Sequence, residues 1–258
     1  MLALLLASCV AQAAPAVPEV AAGLARGDAA HAAFDYAAAR GEYERALALE
    51  PASVEARTRL AHVLNDLGEA AAAEGREAGA RPLLEEALGI AEGLERDAPD
   101  RPEGHHAVAA TLGNLTPFLS GPGKVSAARR IDASAKRATE LDPCLAPAYA
   151  VLGITYRELS SLGGFVRGIA QAALGGLPKG TLADSEWLLR AAVALEPDDP
   201  FNRYQLALTL EKQGRLEDAA AQLEQALAPP DREARDRRNR ADATARLGRM
   251  RGVDSSRR

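Results

Sequence analysis

The chain has 258 residues, of which 47% are hydrophobic and 26% charged, and its net charge is −5 at pH 7. This composition is typical of a protein with a hydrophobic core, and it excludes wholesale disorder and a polytopic membrane protein. The acidic balance argues against a general nucleic-acid binder, and the two cysteines, Cys9 and Cys144, are too few for a disulfide framework or a cysteine-based zinc site. Aromatic residues make up only 4%, whereas alanine, the best helix former, is abundant, so we predict an all-α fold.

Residues 1–13 are predicted to be an export signal rather than part of the fold, because an apolar run is followed at once by small residues. The run is too short to span a bilayer, which takes roughly 20 apolar residues. Two processing schemes compete: Leu6-Ala7-Ser8-Cys9 resembles a bacterial lipobox with Cys9 as the lipidated residue, and Ala11-Gln12-Ala13 fits ordinary A-x-A cleavage. The usual basic region is missing, which a start codon assigned too late would explain; an uncleaved apolar terminus is the third interpretation. We expect an exported protein of the periplasm or outer membrane, touching a membrane only through this lipid anchor.

A recurring phrase of alanine, aliphatic and acidic residues followed by proline marks successive helix ends, since proline just past the last turn cannot continue a helix. It appears as ALALEP (46–51), LERDAP (94–99), ATELDP (138–143), AVALEP (192–197) and ALAPP (226–230). The prolines are 48, 44, 54 and 33 residues apart. These gaps predict a 34-residue helical hairpin that carries insertions of 14, 10 and 20 residues in the three middle units.

The last unit, LALTLEKQGRLEDAAAQLEQAL, resembles the tetratricopeptide repeat (TPR) in the spacing of its small and large positions. Leu206 and Leu210 lie on one face of a first helix, Gly214 permits the turn, and Ala219 and Leu223 belong to the facing stripe of the second helix. We therefore predict that Leu210 and Leu223 lie in the core.

The predicted fold is an all-α solenoid of TPR-like hairpins over residues 20–250. Its units lie near 20–51, 54–99, 102–143, 146–197 and 200–230, followed by a capping helix over 231–250 and a disordered tail over 251–258. A solenoid needs such a cap to cover its last apolar face. The C-terminal stretch from Asp231 to the end of the sequence holds ten arginines and five acidic residues, so it either complements an acidic solenoid body or meets an acidic partner.

Several units depart from the simple pattern. The first helix of the first unit is poorly defined, the second helix of the second unit follows the alanine-rich stretch 69–80, and the third unit is broken at 116–124 before a helix over 127–141. The longest insertion, 160–182, has a helix-like apolar stripe that includes Phe165 and Ile169. This insertion either folds back onto the neighbouring repeat or forms a lip that faces a partner or a membrane.

From about Pro99 to the capping helix, the chain resembles the repeat domain of the regulator of microtubule dynamics family, including its bacterial members. The distinctive feature is the insertion between the two helices of one repeat, which ends in Gly176-Leu177-Pro178. The first hundred residues match only as generic repeats. The resemblance implies a TPR-type fold, but microtubule binding has no support in these residues.

No catalytic or metal-binding motif survives inspection. Gly121-Pro122-Gly123-Lys124 lacks the other residues of a phosphate loop, with Phe118 and Val125 at the positions that require glycine and Ser or Thr. His105 and His106 are adjacent, so on a helix they point about 100° apart and cannot share a metal as an i, i+4 pair would. We predict a non-catalytic protein without a cofactor or a metal.

In TPR-like solenoids the first helix of each hairpin lines the concave surface, and its outward positions contact the ligand. Transfer of the repeat positions predicts a groove lined by Arg59, His62, Asn65, Asp66, His106, Asn114, Val151, Ile154, Arg157, Glu158, Tyr204, Leu208, Glu211 and Lys212. The paired Lys and Asn residues that clamp C-terminal carboxylates in other TPR proteins are absent, so a chaperone-tail binder is not expected.

Two functions remain open at this point. The first is a non-catalytic interaction scaffold of the bacterial cell envelope, which binds a peptide or helix of a protein partner in the groove. The alternative is a carrier of a small apolar ligand in an alanine-rich pocket under the 160–182 insertion. A groove lined by polar side chains favours the scaffold, whereas an enclosed apolar cavity under Phe165 and Trp187 favours the carrier.

Overall fold

The computed structural model describes residues 18–255, without the side chains of residues 165, 166, 173, 174 and 253–255. This range is all-α, as predicted, and contains no β-strand. Its helices are α1 (Pro18–Ala32), α2 (Tyr36–Leu49), α3 (Val54–Ala73), α4 (Glu77–Asp97), α5 (Pro102–Leu115), α6 (Gly121–Leu141), α7 (Ala146–Ser160), α8 (Gly164–Leu174), α9 (Leu182–Leu195), α10 (Pro200–Lys212), α11 (Leu216–Ala226) and α12 (Ala234–Ser255). None of them is long and apolar enough to cross a bilayer.

The helices form two compact units, one up to residue 144 and one from residue 145 onward. The first unit contains the hairpins α1/α2, α3/α4 and α5/α6, each of which packs as an antiparallel neighbour pair. The second contains α7/α9 and α10/α11, with α12 packed on α10 and α11. The poorly defined first helix of the first unit is therefore a regular helix, α1.

Local sequence signals set the helix starts and the turns between helices. Thr181 and Asp184 form a capping box at the start of α9, and the Asp199 carboxylate accepts the backbone N–H of Phe201 at the start of α10. Gly214 turns α10 into α11 with φ of 77°, in the left-handed region where a side chain is strained. The turn predicted at Gly214 is therefore confirmed.

The 14 extra residues of the second hairpin lengthen both of its helices. Ala61 and Ala91, 30 positions apart, share a core cluster between α3 and α4. Seven positions further along α3, Gly68 lies so close to Leu84 that a Cβ there would meet Leu84 Cδ2 at 2.7 Å. Leu84 is also seven positions before Ala91, so each helix gains about two turns. The alanine-rich stretch 69–80 thus belongs largely to the two helices rather than to a loop.

The 20 extra residues of the fourth unit form a separate insertion between α7 and α9. A Cβ at Gly153 on α7 would meet Leu189 Cγ on α9 at 2.6 Å, so the two helices touch at their ordinary hairpin positions. The residues between the helices include α8, whose end is marked by Gly175 at φ 77°. Insertion into a repeat can therefore extend a hairpin or add a new element beside it.

The core follows the repeat register. Leu210 and Leu223 are both fully buried, which confirms the prediction made for them. The capping helix α12 contributes Ala243 and Leu247 to the cluster around Leu223. Apolar side chains of the last hairpin are therefore covered by α12, in the manner that a terminal cap requires.

Two helix boundaries differ from the sequence analysis. α6 begins at Gly121 rather than Ala127, because Pro122 occupies the first turn of a helix, where its missing N–H costs nothing. α12 continues to Ser255, so residues 251–255 of the predicted tail are helical. Residues 1–17, which include Cys9 and the predicted export signal, and residues 256–258 lie outside the described residues.

Candidate functional site

The predicted groove residues lie on the first helices of the hairpins, and each unit is described by itself. In the first unit, Arg59, His62, Asn65 and Asp66 lie on α3, and His106 and Asn114 on α5. In the second unit, Val151, Ile154, Arg157 and Glu158 lie on α7, and Tyr204, Leu208, Glu211 and Lys212 on α10. His62, Glu158 and Lys212 are exposed, whereas Asn65, Asp66, Arg157 and Tyr204 are buried and the others are half-buried.

Asp28 on α1 organises one end of the first unit. Its Oδ1 accepts hydrogen bonds from Tyr43 Oη at 2.8 Å and from Arg59 Nε at 2.8 Å. Burial and the hydrogen bond to Asp28 raise the pKa of Tyr43, so the phenol stays protonated. Arg59, a predicted groove residue, is thus held against α1 by an ion pair rather than extended into solvent.

Two histidines and an aspartate meet between α1 and α3. His31 Nε2 lies 2.7 Å from Asp66 Oδ2, and His62 Nε2, one turn before Asp66 on the same helix, lies 3.9 Å from that oxygen. The centroids of the two imidazole rings are 5.1 Å apart, and the centroid of the Tyr36 ring also lies 5.1 Å from that of His31. One potential ligand atom from each of the three residues lies within 4.8 Å of the other two. We call His31, His62 and Asp66 the histidine cluster.

This cluster was not predicted from the sequence. His62 and Asp66 are spaced i, i+4, which places them on one helix face, and this signal was available in the sequence. His31 comes from α1, the helix that the repeat pattern defined least well, so its proximity to the pair could not be predicted.

A buried amide ties α3 to α5. Asn65 Nδ2 donates to Thr111 Oγ1 at 2.7 Å and to the Ala61 carbonyl at 3.1 Å, and Asn65 Oδ1 accepts from Asn114 Nδ2 at 3.4 Å. Thr111 is fully buried. Asn65 and Asn114, both predicted to face a ligand, therefore contribute to the packing of neighbouring hairpins.

The adjacent histidines of α5 have separate surroundings. The His105 ring is buried, with Nδ1 2.9 Å from Glu95 Oε1 and Nε2 2.8 Å from the Pro99 carbonyl. Glu95 also accepts hydrogen bonds from Arg130 and from Ser134. Burial raises the pKa of Glu95, but the hydrogen bonds from His105, Arg130 and Ser134 outweigh it and leave the pKa below its usual value. Both nitrogens of the His105 ring are therefore engaged by groups of the protein itself.

A buried arginine joins α7 to α10 in the second unit. Arg157 is 5% exposed, and its guanidinium donates to the Gln205 carbonyl at 3.0 Å and to Gln205 Oε1 at 2.8 Å. Its Nε donates to Glu158 Oε1 at 3.0 Å, and burial lowers the pKa of Arg157. A guanidinium desolvated in this way is costly unless its donors are paired, which these bonds achieve.

Glu158, which is bonded to this arginine, also forms an exposed charged pair with Lys212. Lys212 Nζ lies 3.7 Å from Glu158 Oε1 and donates to Ser161 Oγ at 2.7 Å. Glu158 Oε1 thus links the exposed lysine to the buried Arg157, which restrains the carboxylate. Glu158 and Lys212 are presented to solvent by the first helices of adjacent hairpins.

Two predicted groove residues on α10, Tyr204 and Glu211, are bonded to side chains of the capping helix. Tyr204 Oη donates to Asp242 Oδ2 at 2.7 Å, and Arg246 of α12 pairs with both Glu211 and Asp242. Burial and the hydrogen bond to Asp242 raise the pKa of Tyr204 to about 12. In this way the arginine-rich cap complements acidic side chains of the repeat body.

The insertion helix α8 is anchored at its start, where Arg167 donates to the Leu159 carbonyl at the end of α7. Ala170 is buried, but Ile169 is 51% exposed. Trp187 on α9 is 57% exposed, so it does not close an apolar cavity, and the side chain of Phe165 lies outside the described residues. Trp187 thus does not provide the enclosed apolar cavity that would favour a carrier of a small apolar ligand.

The family follows from a comparison of the whole sequence with known families. The model of the family described as regulator of microtubule dynamics protein 1-3 matches residues 24–251. The chain belongs to this family. The match begins at residue 24, so the first two hairpins, which the sequence analysis matched only as generic repeats, are part of the family domain as well. No curated protein matches the chain significantly.

Solved TPR structures agree with the regulator of microtubule dynamics assignment at the level of fold. A thermophilic TPR protein of Thermus thermophilus is 24% identical, with a TM-score of 0.64, over 88% of this chain and 98% of that one. Yeast Tom70 is 16% identical, with a TM-score of 0.50, over 90% of this chain and 41% of that one. These likenesses confirm the all-α solenoid of TPR-like hairpins.

Proposed function

We propose that this protein is a non-catalytic interaction scaffold of the bacterial cell envelope, and that the first helices of its hairpins bind a peptide or helix of a protein partner. The observation that carries the proposal is the Glu158–Lys212 pair, two exposed charges of opposite sign held in place by the buried Arg157. Fixed charges on a rigid helical surface supply specificity and orientation for a polar partner segment. Little further side-chain conformational entropy is lost when the partner binds, because Arg157 already restrains Glu158.

The accessible groove positions of the first unit fit the same role. His62 is exposed, and His106 and Asn114 are half-buried on α5, so the surface is polar and not an apolar pocket. The acidic net charge and this mixed-sign surface favour a protein partner over a nucleic acid.

The test is capture of partners from a cell-envelope extract with the double variant Glu158→Ala/Lys212→Ala. The matched control is Arg81→Ala/Glu85→Ala, which removes an ion pair on α4 with side chains 55% and 53% exposed. We expect mass spectrometry to identify proteins retained by the wild type and by the control but lost from the Glu158/Lys212 variant. Equal recovery with both variants, or no specific recovery from the extract, would refute this docking surface.

Export is supported by the sequence of residues 1–13 alone. Leu6-Ala7-Ser8-Cys9 fits a lipobox, which would place a diacylated Cys9 at the mature N-terminus, and more than one acyl chain is needed for stable anchoring. The native gene, with any in-frame codons upstream, should yield a mature protein whose mass begins at Cys9 or at Ala14. Cys9→Ser should release the protein from the membrane fraction if the lipobox is used. An intact Met1 on a cytoplasmic protein would defeat both forms of export.

A further inference from the structure

The histidine cluster brings together three side chains of the types that bind transition metals. Two neutral imidazoles and one carboxylate are a ligand set that suits zinc and related divalent ions, and three protein ligands leave one coordination position for water. His31 comes from α1, and His62 and Asp66 come from one face of α3. Ligands that converge from two helices are characteristic of sites built inside helical bundles.

The distances are close to those that an ion needs. Metal–nitrogen and metal–oxygen bonds of about 2.0–2.2 Å in a tetrahedral site hold ligand atoms about 3.3 Å apart. His31 Nε2 and His62 Nε2 lie 2.7 Å and 3.9 Å from Asp66 Oδ2, on either side of that value. Asp66 is only 6% exposed at its side chain, whereas His62 is 50% exposed, so a small rotation of His62 adjusts the site.

The surroundings fix two ligands and leave a path to solvent. The ring of Tyr36, itself buried, lies 5.1 Å from the His31 ring and limits its rotation. Asp28, three positions before His31 on α1, is already bonded to Tyr43 and Arg59 and does not compete as a ligand. The exposed edge of His62 provides the entry path that a metal site requires.

We propose that His31, His62 and Asp66 bind one divalent transition-metal ion, with Zn²⁺ as the ion that best matches the ligand set. The ion would replace the direct contact between His31 Nε2 and Asp66 Oδ2 and would link α1 to α3. His62 is also a proposed groove position, but the cluster shares no residue with the Glu158–Lys212 pair, so the Zn²⁺ titration and the capture experiment test the two proposals separately.

The test is a titration of the untagged full chain with Zn²⁺ by calorimetry, and with Co²⁺ by visible absorption, after removal of metal with a chelator. A polyhistidine tag must be absent because it binds the same ions. We expect one ion per chain, Co²⁺ bands typical of tetrahedral coordination, and a higher melting temperature with Zn²⁺. His62→Ala is expected to weaken Zn²⁺ binding by more than about 100-fold, because loss of an outer-shell partner alone costs about 10–100-fold.

His106→Ala is the matched control, since it removes one histidine from α5 and leaves the cluster intact. It should bind Zn²⁺ within about twofold of the wild type, while Asp66→Asn should bind as weakly as His62→Ala. Because His62 is exposed, its truncation leaves the fold intact, and far-UV circular dichroism checks this. Less than one ion per wild-type chain, or equal affinities of His62→Ala and His106→Ala, would show that the cluster is only a hydrogen-bonded His–Asp pair.

Discussion

Gly104 lies at a close approach between α4 and α5, and its replacement by alanine should destabilise the first unit. A Cβ at Gly104 would lie 2.6 Å from the backbone nitrogen of Glu95 and 2.9 Å from its Cα. Contacts between such atoms are normally about 3.5–4.0 Å, so the overlap approaches 1 Å. The opposing atoms belong to the main chain, which cannot rotate away as a side chain can, so α5 as a whole has to move.

The magnitude follows from two opposing effects. Overpacking costs about 1–3 kcal/mol, and alanine recovers at most about 1 kcal/mol of helix propensity. We expect a net loss of about 1–2 kcal/mol, which in a chain of this size lowers the melting temperature by about 2–8 °C.

Gly113 provides the control in the same helix. A Cβ at Gly113 meets no atom within 4 Å, so Gly113→Ala should stabilise the protein by up to about 1 kcal/mol. Both variants are compared by urea denaturation monitored by far-UV circular dichroism, with the slopes checked for equality. If Gly104→Ala is as stable as Gly113→Ala, Gly104 is not in close contact with the backbone of Glu95.

Three further predictions concern the core, the cap and the pH dependence. Leu223→Ala, at a fully buried position, should lower the free energy of unfolding by about 2–5 kcal/mol. The control Leu49→Ala, at a position that is 57% exposed, should change it by less than about 0.5 kcal/mol. Similar values for the two variants would show that the repeat register is wrong. Leu247→Asp places a charge in the cluster beneath α12 and should cause aggregation or a lower melting temperature, and a variant that melts like the wild type would contradict the capping role. The pKa of Glu95 is lower in the folded state than its ordinary 4.5, so the stability that it contributes is present above that pH and is lost as the pH falls through the folded-state pKa. Glu95→Gln should therefore reduce the loss of melting temperature on acidification below pH 4.5. An acid titration of the melting temperature with the same slope as the wild type would contradict this.

Much of the fold could be predicted because the TPR pattern repeats its signal in every unit. Small residues recur where two helices touch, and proline marks each hairpin end, so a weak unit is located by its stronger neighbours. The longest insertion lies between α7 and α9, where the sequence located it, but the conformation of the inserted residues could not be predicted in the same way. A surplus of 14 residues is equally consistent with a loop or with two longer helices, and only the contact between Gly68 and Leu84 shows that the helices are lengthened.

The candidate site was predicted less completely than the fold. The repeat positions correctly indicate which residues lie on first helices, but they do not indicate which of these the neighbouring helix will cover. Asn65 and Tyr204 occupy predicted ligand positions, yet the first is bonded to Thr111 on α5 and the second to Asp242 on α12. Such pairings depend on contacts across 38 or more residues, which a local spacing rule does not contain.

The first helices of the hairpins therefore have two roles. Their buried polar residues pack neighbouring hairpins together, and their exposed residues are accessible to a partner. Buried polar groups on first helices must be paired, so Asn65 and Arg157 find partners on the next first helix and thereby fix how neighbouring hairpins stack. Residues one position further out, such as Glu158, take their orientation from these buried groups while remaining accessible. Lys212 is positioned in turn by its contacts with Glu158 and Ser161. A polar network that stacks the hairpins thus also sets the arrangement of charges that a partner would meet, so that the fold and the proposed binding surface depend on the same bonds.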